Sequence, residues 1–209
     1  MSTKQPAESP APYHHGDLHN ALIQAGLAIL AEEGARALSL RAVARRAGVS
    51  HAAPYRHFAD KDALLAAIAE QGFDMLAAST RAAIERFPAD PVAQLAESGW
   101  AYVQFALQHP DHLRVMFSGL LRTPEDHATL RTAGRRAFSL LVDIMRAGQR
   151  VGVIVDGAPE QFALAAWAHV HGLAVLLIDN QIPAAATAAS PEQLTRMCTG
   201  LFYRGVGSR

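Results

Sequence analysis

The stretch SLRAVARRAGVSHAAPYRHF, Ser39 to Phe58, decides how the rest of the chain is read. Leu40, Val43, Ala44 and Ala47 recur at helical spacing, which predicts a short helix with Ser39 as its N-cap. Gly48 closes that helix, Val49 turns toward the core, and Ser50 caps a third helix reaching about Phe58. Two short helices joined in this way have the proportions of a helix-turn-helix. In such a unit the second helix enters the major groove, and its first residues meet base edges. Here those residues are His51, Ala52 and Ala53, followed by Pro54.

Pro54 lacks the N–H of the first intrahelical bond, which predicts a tighter or irregular first turn. Its ring either fixes the start of the helix or touches a thymine methyl group. Tyr55 and His57 are placed to donate to phosphate oxygens, and Arg41 and Arg45 lie on the polar side of the preceding helix. Asp60 caps a long helix whose first turn holds Lys61, a cation set against the macrodipole. It is explained by a shared phosphate or by neutralisation through Asp60 and Asp62. With the caps Ser39 and Ser50, these residues form the candidate DNA-contacting set.

Charge is unevenly placed. From Arg36 to Lys61 six basic residues face the single acid Asp60, a net +5 in a chain whose total is 0. A local positive region attracts phosphates although the whole chain is neutral. Half of the residues are apolar and 18% are charged, so the chain can bury a substantial core. Cys198 is the sole cysteine, which excludes an internal disulfide and predicts a reducing, cytoplasmic home. The start, MSTKQPAESPAP, lacks the apolar centre of a signal peptide and is expected to be a disordered tail through residue 12.

Outward from the quoted stretch, helical spacing continues almost everywhere and no segment alternates cleanly as a strand does. The expected helices run over about 17–33, 60–87, 92–107, 110–117, 125–148, 160–181 and 191–203. The fold class is therefore all-α. A three-helix domain carrying the helix-turn-helix over 13–62 precedes a larger helical bundle over 63–209. The run Phe162–Ile178 is apolar around its whole circumference, with His169 and His171 inside it, and must be covered by protein on more than one side. Paired with the last helix, it predicts a two-fold interface through Leu176, Leu194, Met197, Leu201 and Phe202. An ordinary internal core would use the same residues. Trp100, Phe105, Met116, Phe117, Phe138, Leu141, Trp167 and His171 have the chemistry of a small-molecule pocket, and equally of a core.

The chain has 10 histidines, and His15 and His19 stand at metal-sharing i, i+4 spacing. No His-Glu-x-x-His, paired cysteines, phosphate loop or nucleophile elbow accompanies them. His14, His15 and His19 read better as a polar surface near a DNA backbone, and no metal, cofactor or catalytic residue is assigned.

LSLRAVARRAGVSHAAPYRHFADKDALL resembles the DNA-binding signature of the tetracycline-repressor-like (TetR) family of transcriptional regulators. The shared positions are Ser39, Ala44, Ala47, Gly48, Val49, Ser50, Tyr55, Phe58, Lys61 and Leu64, and YHHGDLHNALIQAGLAILAEEG is similar to the family's first helix. WAHVHGLAVLL, with Trp167, His171 and Gly172, resembles the Trp-x-x-x-His-Gly feature of a subgroup with a WHG-type C-terminal domain. The resemblance implies an all-α homodimer that binds double-stranded operator DNA, commonly as a repressor, and responds to a small molecule. Pro54 departs from the family pattern, where an ordinary helix former is common. A helical adaptor of the same fold without DNA binding, or a histidine-based enzyme, are the alternatives.

Overall fold

A computed structural model describes residues 15–117, 119–121, 126–183 and 189–207, with side chains from residue 18 onward. The expected tail, the side chains of His14 and His15, and the middle of the 182–191 loop lie outside these residues. The order is α1 (His15–Glu33), α2 (Leu40–Arg46), a 3-10 turn (Pro54–Arg56), α3 (Lys61–Ile84), α4 (Pro91–Gln108), α5 (Pro110–Phe117), α6 (Ala128–Arg150), α7 (Pro159–Ile178) and α8 (Pro191–Val206). The protein is all-α, with an isolated bridge between Ile154 and Gly207 as the single β feature among the described residues. It divides into two compact units between Leu64 and Leu65, so α3 starts in the first and continues through the second.

The first unit closes around Leu22, Ile23, Leu27 and Ile29 of α1, Leu40, Val43 and Ala44 of α2, and Leu38, Phe58 and Leu64. The Ser39 Oγ accepts from Ala42 N at 3.1 Å, and the Asp60 carboxylate accepts from Ala63 N at 2.8 Å, so these two expected caps form. Ser50 does not cap, since the 3-10 turn that follows it has Ala53 at its N-cap with no side-chain bond. Gly48 has φ +68°, and the bonds Gly48 N to Arg45 O (3.3 Å) and Val49 N to Ala44 O (3.0 Å) make a Schellman ending. Val49 itself is half-buried.

The third helix is not the α-helix expected over 50–58. Residues 51–53 form a turn, and Pro54–Arg56 form the 3-10 turn. Without an N–H, Pro54 cannot donate to Ser50 O, and Ala53 N takes that carbonyl at 3.0 Å instead. Arg56 N then bonds Ala53 O and His57 N bonds Pro54 O, both i to i+3, before Phe58 N closes on Pro54 O at 2.9 Å. Pro54 thus sets the shape of the whole segment.

In the second unit α4 is the central helix, packed against α5, α6, α7 and α8. Asp90 caps it through Val92 N and Ala93 N, with Pro91 in the first turn. A capping box between Ser190 and Gln193 opens α8. Glu97, on the buried side of α4, is held by Arg196 at 3.0 Å and Arg86 at 3.6 Å, which ties α4 to α8. One helix among the described residues, α7, has the length and apolar composition to cross a membrane. One side of it, Ala163, Ala166, Val170, Leu173 and Ala174, is buried against α4, α6 and α8, while Leu164, Val175 and Leu176 are exposed.

Gly99 sits where α4 meets α7 and α8. A Cβ there would stand 2.5 Å from Thr199 Cγ2 and 3.3 Å from Val170 Cγ1. The Thr199 hydroxyl donates to Thr195 O, so its methyl cannot swing away without breaking that bond. Gly99→Ala is expected to lower stability by about 1–2 kcal/mol, because overpacking exceeds the ~1 kcal/mol of helix propensity gained. Urea unfolding checks this, and a raised midpoint would show that the helices separate freely.

Candidate functional site

Two sites emerge, one in each unit. On the first, α2 buries Leu40, Val43 and Ala44, which leaves Arg41 and Arg45 exposed on its opposite side. Ser39, Ser50, His51, Ala52, Tyr55 and Arg56 are exposed as well, Tyr55 to 53%. Ala53 and His57 are half-buried, and the His57 ring lies 5.8 Å from His19 and 6.3 Å from Phe58. His19 also packs at 5.0 Å on Phe58, so it braces the segment from α1.

Three sequence expectations change here. Pro54 is fully buried, so its ring fills the core of the unit and is withdrawn from any base contact. Lys61 donates to the Ala35 carbonyl at 2.6 Å, just beyond the end of α1. The cation at the start of α3 therefore serves the negative end of α1, which explains its position without a phosphate. Arg46 is held by Glu32 in a fork at 2.5 and 2.6 Å, with Glu33 3.9 Å away. That bond holds the Glu32 carboxyl below its ordinary range. By contrast, Arg36, Arg41, Arg45 and Arg56 are exposed and pair with no carboxylate among the described residues. Of the six cations from Arg36 to Lys61, two are therefore engaged within the unit and four remain exposed.

In the second unit, α3, α4, α5, α6, α7 and α8 surround a cavity of about 320 Å³. Of the expected pocket residues, Phe117, Phe138, Leu141 and Trp167 line it. Trp100, Phe105, Met116 and His171 do not. Phe105 is core, Trp100 and Met116 pack against that core from its edge, and His171 stands behind the wall. Of the residues expected at a dimer interface, Leu194 is buried in the core and Phe202 faces the cavity, so neither is a surface residue. Leu176, Met197 and Leu201 are exposed to 43–54%, joined by Leu164 and Val175.

Sequence reasoning missed much of the wall, including Phe73, Ser98, Gly99, Tyr102, Gly134, Arg135 and Thr199. The glycines were a usable signal. Gly99 and Gly134 sit inside helices at a propensity cost of ~1 kcal/mol each, which marks a close approach or a space.

His171 acts through Tyr102. Burial raises the Tyr102 phenol well above its ordinary range, so it remains O–H, and it lies 2.7 Å from His171 Nδ1. Burial lowers the pKa of the His171 imidazole, which stays neutral and accepts the hydrogen bond that the phenol donates, its ring edge-on to Phe117 at 4.8 Å. His112, bonded to Gln71 at 3.1 Å, is lowered by burial and by the neighbouring His109, with Asp111 opposing. Both imidazoles lie below the 6.5 of a free histidine, so the unfolded chain binds protons first as pH falls. Their contribution to stability is complete above pH 6.5 and is lost as pH drops through the lowered values. Melting between pH 7 and pH 5 is expected to show a falling midpoint, with a shallower fall in His171→Asn. Equal slopes would remove His171 from this account. Among the described residues no three His, Cys, Asp or Glu side chains converge as a metal site would require.

A three-element head with a cationic turn segment, joined to a helical unit with an apolar cavity, is the architecture of a helix-turn-helix transcriptional regulator. Residues 22–68 match the family model for bacterial regulatory proteins of the tetR family, and residues 95–200 match that for the tetracyclin repressor-like C-terminal domain. The chain belongs to the TetR family of transcriptional regulators. A solved protein of unknown function from Rhodococcus sp. RHA1 is 36% identical at TM-score 0.81, over 95% of this chain and 100% of its own. A bacterial regulatory protein in the tetR family from Rhodococcus RHA1 shares the fold at 24% identity and TM-score 0.73, over 91% of this chain and 97% of its own. A TetR family transcriptional regulator from Thermus thermophilus shares it at 21% identity and TM-score 0.69, over 88% and 97%. No match is found among curated proteins.

Proposed function

We propose that the protein is a cytoplasmic homodimeric repressor that grips palindromic operator DNA with residues 39–56 and alters its grip when a small molecule fills the cavity of the second unit. The observation that carries this reading is the set of exposed arginines, Arg41, Arg45 and Arg56, around an exposed Ser50–Ala52 edge. Cations with no carboxylate partner among the described residues break no ion pair to reach phosphate, whereas Arg46 would first have to leave Glu32. In this reading Arg41, Arg45 and Tyr55 position the protein on the backbone, while Ser50, His51 and Ala52 meet base edges. Ser39 and Lys61 hold the frame. The role of Pro54 is to lift that edge outward by keeping the turn tight.

Dimerisation rests on Leu164, Val175 and Leu176 of α7 with Met197 and Leu201 of α8, all exposed. A Cβ added at Gly172 or Gly200 would meet nothing within 4 Å, so both helices offer places where another backbone could approach. Two such heads related by a two-fold axis would meet major grooves about 34–36 Å apart. A ligand would act by favouring one spacing over another. The reading involves no metal or cofactor. Capture of genomic fragments by the purified full-length protein tests it. Recovery of a short inverted repeat supports it, and no enrichment at any salt concentration would favour the adaptor alternative.

A further inference from the structure

We propose that the cavity takes a molecule with an apolar body and a single anionic group, and that Arg135 of α6 receives the anion. This rests on the reading of the cavity as an effector site.

The inference comes from accounting for each polar group on the wall. Ser98 Oγ donates to Leu95 O at 2.8 Å, and Thr199 Oγ1 to Thr195 O at 3.0 Å. The Tyr102 hydroxyl is engaged by His171 and accepts from the Trp167 indole N–H, so neither of these two groups is left over. His169 Nδ1 lies 2.7 Å from Ala165 O, so its proton is there and Nε2 is left as an acceptor. Thr80 adds one neutral hydroxyl. These groups leave little for a ligand to bond. The remaining lining is mostly ring and aliphatic surface, with Phe73, Phe117, Phe138 and Trp167 among it.

Arg135 differs from all of them. Its Nη2 makes a long 3.3 Å contact with the Thr132 hydroxyl, and it pairs with no carboxylate among the described residues. The adjacent Arg136 is neutralised by Asp74. Arg131, one turn earlier on the same side of α6, is also exposed and adds to the positive potential. Among the described residues no Asp or Glu lines the cavity. A cationic ligand would meet Arg135 with no countercharge, and a neutral one would leave the guanidinium in water. An anion gains a forked, charge-assisted hydrogen bond while its body leaves water against the rings.

The test uses the full-length protein and 1-anilinonaphthalene-8-sulfonate, an anionic aromatic fluorophore, displaced by decanoate, 1-decanol or decylamine. Decanoate is expected to compete about tenfold better than decanol, as one charge-assisted hydrogen bond implies, with decylamine weakest. Arg135→Gln, at an exposed position that preserves folding, is expected to abolish the preference, and Arg135→Lys to keep part of it. Equal competition by decanol, better competition by decylamine, or an undiminished preference in Arg135→Gln would overturn the proposal. Ala137→Trp, which fills the cavity from α6, separates the two claims. If it leaves fluorophore uptake unchanged, the cavity is not the binding site and the underlying reading fails as well.

Discussion

With Arg41 and Arg45 both replaced by alanine, affinity for duplex DNA is expected to fall on the order of a hundredfold at low salt, and equally for every sequence. The slope of log affinity against log salt should flatten by about 2 per head, one unit for each phosphate no longer neutralised. Both residues lie on the exposed side of α2, and their neighbours Leu40, Val43 and Ala44 carry the packing, so the head should fold unchanged. His51→Ala provides the contrast. It should leave the salt slope nearly intact and blur discrimination between sequences, at about 1–3 kcal/mol for each base no longer read. Fluorescence anisotropy across a salt series reads both effects. Loss of affinity confined to one sequence in the double-arginine variant would reverse the assignment of roles.

The second large effect concerns assembly. Leu176→Arg combined with Leu201→Arg is expected to weaken dimerisation about a thousandfold or more, since in the proposed dimer each charge would be buried unpaired. Both side chains are exposed in the single chain, 43% and 54%, so the variant should fold as a monomer. Sedimentation at micromolar concentration should then show a single chain length, with DNA binding reduced to that of one head. Leu194→Arg and Phe202→Arg would lower stability instead, because those positions lie inside the fold. A variant dimer as tight as the unaltered protein would place the interface elsewhere.

These expectations also mark where sequence information is strong. Caps and breaks are local. Ser39, Gly48 and Asp60 act on amides within a few residues, so each could be read from its neighbours. The all-α class followed from the same periodicity. Pro54 was legible as a disturbance, but whether the helix would recover beyond it depended on Phe58 and Pro54 both being drawn into the core. Long-range partners left no trace. Nothing near Lys61 points to the carbonyl of Ala35, and nothing near Arg46 distinguishes it from Arg45 until α1 brings Glu32 alongside.

The cavity was the least legible feature. Phe105 and Phe117 are the same residue type on adjacent helices, yet one is core and the other lines the space. What separates them is which side of α4 or α5 faces an incomplete contact, a property of six helices together. Polar wall residues such as Ser98 and Thr199 look like ordinary helix-surface residues until their hydroxyls are seen bonded to their own backbone.

Hydrogen exchange of the full-length protein, with and without a captured duplex, tests the central claim most directly. The account predicts that amides of residues 39–61 slow most on binding, led by those of Ser50 to Arg56. Unchanged exchange through that stretch, with protection only in the cavity-bearing unit, would contradict it.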